Sequence, residues 1–135
     1  MGAPKGKSAR IKRGEGNVNF KMETRSVESK PPIIELTGEV DVYTAPQLKQ
    51  QMIVLLEGGA RALIVDLTKV EYLDSTALGV LIGGLKRLRE RDGNVVLVCP
   101  SPRIRRVFEI TGLDKIFDIY ETQADATESM GKETG

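Results

Sequence analysis

The sequence predicts one α/β domain: a mostly parallel sheet of four to five strands with an antiparallel edge strand and about four helices, in the order ββαβαβαβα. Three observations lead there. Two continuous apolar runs, "ALIV" at 62–65 and "NVVLVC" at 94–99, suit central strands covered on both faces, as parallel strands are. Around them lie longer segments whose apolar residues recur three and four apart, the spacing of helices that bury one face. A chain of 135 residues with 40% hydrophobic content is long enough for one core and short for two.

The elements follow in order. Residues 1–17 combine Gly, Pro and Ser with five basic residues and carry almost no large apolar side chains, the composition of a segment that cannot bury enough surface to offset its ordering entropy. This stretch is expected to be a flexible basic arm, a solvated tail rather than a binder of RNA, DNA or an anionic membrane. The domain is expected over 18–130, with a frayed end at 131–135. Val18, Phe20 and Met22 alternate with Asn19, Lys21 and Glu23 as in a half-buried strand. Pro31 and Pro32 break the chain before a short apolar strand at 33–36, an antiparallel partner for the first.

In "TAPQLKQQMIVLLEGG", Thr44 and Gln47 have the spacing of a capping box, Pro46 suits the first turn, and Gly58-Gly59 stops a helix. Its stripe of Leu48, Met52, Leu55 and Leu56 is core packing. "RALIVDLTKV" is the next strand. The helix beginning in "YLDSTALGVLIGGLKRL" buries Leu78, Leu81, Ile82, Leu85 and Leu88 and ends at "RDGN", with Gly93 at the left-handed position. A strand to Cys99 follows. In "SPRIRRVFEITG", Ser101 caps, Pro102 opens the helix, Ile104, Val107 and Phe108 point inward, and Gly112 terminates. "KIFDIY" is a last short strand, and Thr122 caps a closing helix.

Composition narrows the chemistry. Lys+Arg 20 against Asp+Glu 19 leaves a formal charge of +1, so the whole chain is neither a strongly basic nucleic-acid binder nor an acidic mimic, and direct DNA binding is not expected. The chain has no histidine, which removes the commonest general base and metal ligand and rules out Ser-His-Asp and Cys-His arrangements. The single cysteine, Cys99, makes no internal disulfide or thiolate cluster and reads as a buried strand residue. A reducing, cytoplasmic setting fits, and no stretch approaches the roughly 20 apolar residues of a membrane span.

The residues that stand out are Asp74, Ser75 and Thr76 at the mouth of the second helix. Carboxylates and hydroxyls both satisfy the unpaired N–H groups there, each with a stabilisation of about 0.5–2 kcal/mol, so capping explains them. The same N–H groups and dipole accommodate a phosphate, so Ser75 or Thr76 can also carry a phosphoryl group of about −1.5 to −2 charge.

Three segments, "GEVDVYTAPQL" (38–48), "LIVDLTKVEYLDSTALGVLIG" (63–83) and "ITGLDKIF" (110–117), in this order and spacing, closely resemble bacterial anti-sigma factor antagonists of the STAS domain family. The resemblance covers roughly residues 18–130. It implies a four-stranded, mostly parallel sheet with an edge strand and packed helices, and a switch rather than an enzyme. The serine after the aspartate of D-S-[ST]-G-L-G is the one phosphorylated in the family, here Ser75, by a partner anti-sigma factor that is also a serine kinase and uses ATP. The resemblance thus implies that the unmodified form binds that partner and frees a sigma factor, that the phosphorylated form does not, and that a phosphatase restores it. No cofactor is implied for this chain, which would be a monomer or weak dimer.

By the same match Asp74 flanks and positions the acceptor and Thr76 is a secondary hydroxyl. Glu39 and Asp41 fall in the loop before the first helix, bordering the partner-binding face, and Tyr43 is a candidate anchor there. Ala77 replaces the family's glycine and adds a methyl where a kinase or partner approaches. Gly79, Gly83 and Gly84 are retained and read as permitting close helix packing. Two alternatives stand beside the switch. One is a STAS scaffold or regulatory subunit of a larger complex, a stress-sensing assembly or a lipid-transport ATPase. The other, a nucleotide hydrolase, lacks both a G-x-x-x-x-G-K-[ST] loop and a histidine.

Overall fold

β4, Ala62–Leu73, runs through the middle of a single sheet and organises everything around it. The computed structural model describes residues 6–10 and 19–134; residues 1–5 and 11–17 of the expected arm, the expected strand residue Val18 and the terminal Gly135 lie outside the described residues. The sheet order is β1 (Gly6–Arg10), β2 (Phe20–Arg25), β3 (Ile33–Val40), β4, β5 (Asn94–Val98) and β6 (Asp118–Tyr120). β1 pairs antiparallel with β2 and β2 antiparallel with β3, while β3, β4, β5 and β6 are mutually parallel. β2 to β6 are the five strands of the expected order. β1 is an addition within the stretch read as an arm: its pairing uses backbone groups of an open sheet edge, which composition does not register.

Because consecutive parallel strands are neighbours, right-handed crossovers put α1 (Ala45–Glu57), α2 (Ser75–Arg89) and α3 (Pro102–Thr111) on one face. Leu63, Val65 and Leu67 of β4 meet Leu48 and Met52 of α1, Leu81 and Leu85 of α2 and Phe108 of α3 in the main core. Burial of each such side chain is worth about 1.5–3 kcal/mol. Ile64, between two of those strand residues, points the other way and joins Val96 and Val98 under Ala126 and Met130 of α4 (Gln123–Thr134). The expected face of α2 is confirmed at Leu78, Leu81, Leu85 and Leu88, while Ile82 is only half-buried.

α4 is also held by polar contacts. Gln123 Nε2 donates to Glu35 Oε2 (2.7 Å) and to Asp66 Oδ2 (2.6 Å), and its Oε1 accepts from Arg25 Nη2 (2.6 Å). Arg25 pairs with Glu35 at 2.6 Å, and Asp66 Oδ1 accepts from the Thr68 N–H at 2.9 Å. The buried Asp66 carboxylate in the middle of an apolar strand is therefore satisfied on both oxygens.

Several local expectations are corrected. β3 runs on to Val40, because Gly38 bulges at φ +93° instead of breaking the strand; a Cβ there would lie 2.0 Å from the Asn19 carbonyl oxygen. Glu39 is therefore a strand residue, not a loop residue. The Thr44–Gln47 capping box does not form: the Thr44 hydroxyl turns back to donate to the Glu39 carbonyl (2.9 Å). After α2 the left-handed residue is Asp92 (φ 61°), not Gly93, whose missing side chain instead leaves room for the Arg61 carbonyl oxygen, 2.2 Å from where a Cβ would sit. "KIFDIY" yields a strand only at Asp118–Tyr120, since Leu113–Lys115 forms a 3-10 turn. α4 is assigned from Gln123 to Thr134. The Ser101, Gly112 and Thr122 signals are as expected, with Ser101 Oγ accepting from the Ile104 N–H, Gly112 at φ 77° and Thr122 Oγ1 accepting from the Asp125 N–H (3.0 Å).

Candidate functional site

The parallel strands β3, β4 and β5 all end at the edge where α1, α2 and α3 begin, so the 41–44 turn, residues 74–76 and the start of α3 share one end of the sheet. β4 delivers the site directly: its last residue, Leu73, is buried, and Asp74 follows in extended conformation as the cap of α2. Asp74 Oδ1 accepts from the Ala77 N–H (3.0 Å), and Oδ2 accepts from the Val42 N–H (3.0 Å). Its own N–H donates to the Val40 carbonyl (3.2 Å). One carboxylate thus ties the mouth of α2 to the turn that follows β3.

Ser75, the first residue of α2, and Thr76 are both exposed. Ala77 is fully buried, so its methyl belongs to the core and does not occupy the surface that an approaching kinase or partner would meet, contrary to the expectation from the family motif. Gly79 is exposed, and a Cβ on it would meet nothing within 4 Å. Among the three family glycines, only Gly84 serves close helix packing: a Cβ there would lie 2.1 Å from Met52 Cε of α1, whereas Gly83 has open space like Gly79.

The turn before α1 is built by Asp41, half-buried, whose Oδ1 accepts from the N–H groups of Tyr43 (2.9 Å) and Thr44 (3.1 Å). Asp41 therefore shapes the turn, and what the turn displays is Val42 at 54% exposure and Tyr43 at 83%. Glu39, half-buried, lies in register with Tyr72 of β4, itself 51% exposed. Sequence reasoning missed Tyr72, although an aromatic two residues before the capping aspartate was a signal open to it. It also missed Arg103 at the start of α3, whose Nη1 donates to the Glu71 carbonyl (3.0 Å) and so brings a cation to the same end of the sheet.

The site joins an exposed hydroxyl, an apolar rim of Val42, Tyr43 and Tyr72, and a fully engaged carboxylate. Each oxygen of Asp74 is held by a backbone N–H, so the carboxylate serves first to fix the local backbone. No group of three or more His, Cys, Asp or Glu able to hold a metal ion occurs among the described residues. No helix among them is long and apolar enough to cross a membrane.

Known proteins match most of the chain. The anti-sigma-B factor antagonist of Listeria monocytogenes is 39% identical over 108 residues, 80% of this chain and 95% of the relative. That of Staphylococcus aureus is 38% identical over 104 residues, 77% and 95%. The crystal structure of an anti-sigma factor antagonist from Mycobacterium paratuberculosis superposes with a TM-score of 0.75 at 30% identity, covering 82% of this chain and 93% of that one. The STAS domain description matches residues 22–126. With the fold and a match over most of its length in agreement, the chain belongs to the STAS domain family.

Proposed function

We propose that this chain is an anti-sigma factor antagonist, a regulatory protein and not an enzyme. In this reading the unmodified Ser75 face binds an anti-sigma factor and releases its sigma factor. The same partner acts as a serine kinase, transfers a phosphoryl group from ATP to the Ser75 hydroxyl, and thereby ends the interaction; a phosphatase reverses the step. ATP enters with the kinase, and this chain contributes no cofactor. The observation that carries the reading is the exposed Ser75 hydroxyl beside an Asp74 carboxylate already committed to two backbone N–H groups. The general base for phosphoryl transfer then comes from the kinase.

The off state follows from electrostatics without refolding. A neutral hydroxyl is desolvated at modest cost, whereas a phosphate of about −1.5 to −2 charge next to Asp74 loses far more hydration on contact. A swing of about 3–4 kcal/mol changes affinity by hundreds-fold. Meanwhile the N–H groups and dipole of α2 keep the phosphorylated helix folded. The test is mass spectrometry after incubation with the cognate kinase and ATP. Wild type gains one phosphate on Ser75 and Ser75→Ala gains none; a phosphate found elsewhere in wild type overturns the site.

A further inference from the structure

Beside Thr76, a groove of about 260 Å³ runs between α1 and α2. Met52, Ile53 and Val80 give it an apolar floor, and Gly79 and Gly83 leave one wall without side chains. Its lining contains two cations and no carboxylate: Lys49 in the first turns of α1 and Arg87 near the end of α2, both exposed and neither in an ion pair among the described residues. Beyond the Arg87 end, a neighbouring hollow holds Glu57, Glu90 and Arg91.

The groove is below the roughly 300–1,000 Å³ of small-molecule sites, so it suits a few side chains of a docked segment better than a whole ligand. From Thr76 to Arg87 α2 rises about 16 Å at roughly 1.5 Å per residue, the length of about three helical turns. Each glycine in a helix interior costs about 0.5–1 kcal/mol relative to Ala. Gly84 has an internal reason in Met52, whereas among the described residues nothing lies within 4 Å of a Cβ placed on Gly79 or Gly83.

We infer that this groove receives a three-turn amphipathic helix of the protein partner, its apolar stripe on Met52, Ile53 and Val80 and acidic side chains near its two ends meeting Lys49 and Arg87. The inference rests on the reading of the Ser75 face as the partner surface, with which the groove is continuous through Thr76, and it makes that surface extend down the α1/α2 side of the domain. Docking of an amphipathic helix into an apolar groove is a common recognition mode, and opposite charges at the rim set orientation and association rate.

The test is calorimetry with the purified ATP-binding anti-sigma factor, using wild type, Gly83→Leu, Gly83→Ala, Lys49→Glu and Ser75→Asp, with melting temperatures and sedimentation for each. Gly83→Leu fills the groove and is expected to weaken binding about tenfold or more. Gly83→Ala keeps or raises the melting temperature and has a smaller effect on affinity. Lys49→Glu weakens binding about fivefold at low salt, with the difference shrinking as salt rises. If Ser75→Asp loses binding while both Gly83→Leu and Lys49→Glu bind as wild type, the groove proposal is overturned and the Ser75 reading stands. If wild type does not bind at all, both fall. A shift of oligomeric state in Gly83→Leu with unchanged partner affinity assigns the groove to a second copy of this chain and also overturns the proposal.

Discussion

Asp74 and Val42 are joined by a hydrogen bond across two segments 32 residues apart, the Val42 N–H donating to Asp74 Oδ2 at 3.0 Å while Oδ1 caps α2 through Ala77. The residue that stands next to Ser75 is thereby also the clasp of the turn that displays Tyr43. Asp74→Ala is expected to remove both bonds and to destabilise the fold by about 1–3 kcal/mol, combining a lost cap with a charge-assisted bond. Urea denaturation measures the first effect. The second shows as faster amide exchange at Val42 and Ala77; unchanged exchange at Val42 contradicts the clasp.

Tyr43 and Tyr72 expose aromatic surface at the end of the sheet that carries Ser75, with little internal packing at stake. Tyr43→Ala and Tyr72→Ala should each weaken binding to the anti-sigma factor about tenfold, as aromatic hot spots do, without lowering the melting temperature. Wild-type affinity in both variants would remove the apolar rim from the interface.

Gln123 fastens α4 by donating to two carboxylates at once. Gln123→Leu leaves Asp66 without a donor on Oδ2, so a cost of about 1–3 kcal/mol is expected, larger than for truncating an exposed residue of the same helix. Amide exchange in α4 should rise before exchange in β4, because the helix is held by this contact and the small Ala126–Met130 patch.

Burial pushes the Cys99 thiol above its ordinary range, with the Arg105 charge and a hydrogen bond from the Ser101 backbone opposing only in part. In the folded protein the thiol stays neutral at pH values where the unfolded thiol ionises, so the unfolded state binds fewer protons there. Stability is unaffected by this group below the ordinary thiol range and falls as pH rises through and above it. Cys99→Ala should flatten that alkaline decline. A thiol reagent at neutral pH is expected to react at the rate of opening or unfolding, and fast labelling of the native protein would contradict the buried placement.

Where a signal was local, it was legible in the sequence. The continuous runs at β4 and β5, the Ser101 and Thr122 caps and the leucine face of α2 depend on neighbours one to four residues apart, and pattern alone locates them. What stayed hidden depends on distant partners. Thr44 has the spacing of a capping residue but finds the Glu39 carbonyl instead, and Gln123 reads as an ordinary polar helix start until β2, β3 and β4 bring Arg25, Glu35 and Asp66 beneath it. Gly93 looks like a left-handed stop because glycine permits that conformation, yet its position is dictated by the close approach of the Arg61 backbone. At the site, Ser75 and Asp74 were readable from the motif, whereas the inward direction of Ala77 and the exposure of Tyr72 required the register of β4 against β3.

The central claim is that a phosphate on Ser75 ends partner binding, and it is tested most directly by titrating the purified anti-sigma factor with unmodified and stoichiometrically Ser75-phosphorylated protein in a calorimeter. The account predicts measurable, saturable binding for the unmodified form and an affinity lower by hundreds-fold or more for the phosphorylated form, with the same melting behaviour in both. Equal affinities for the two forms would contradict it.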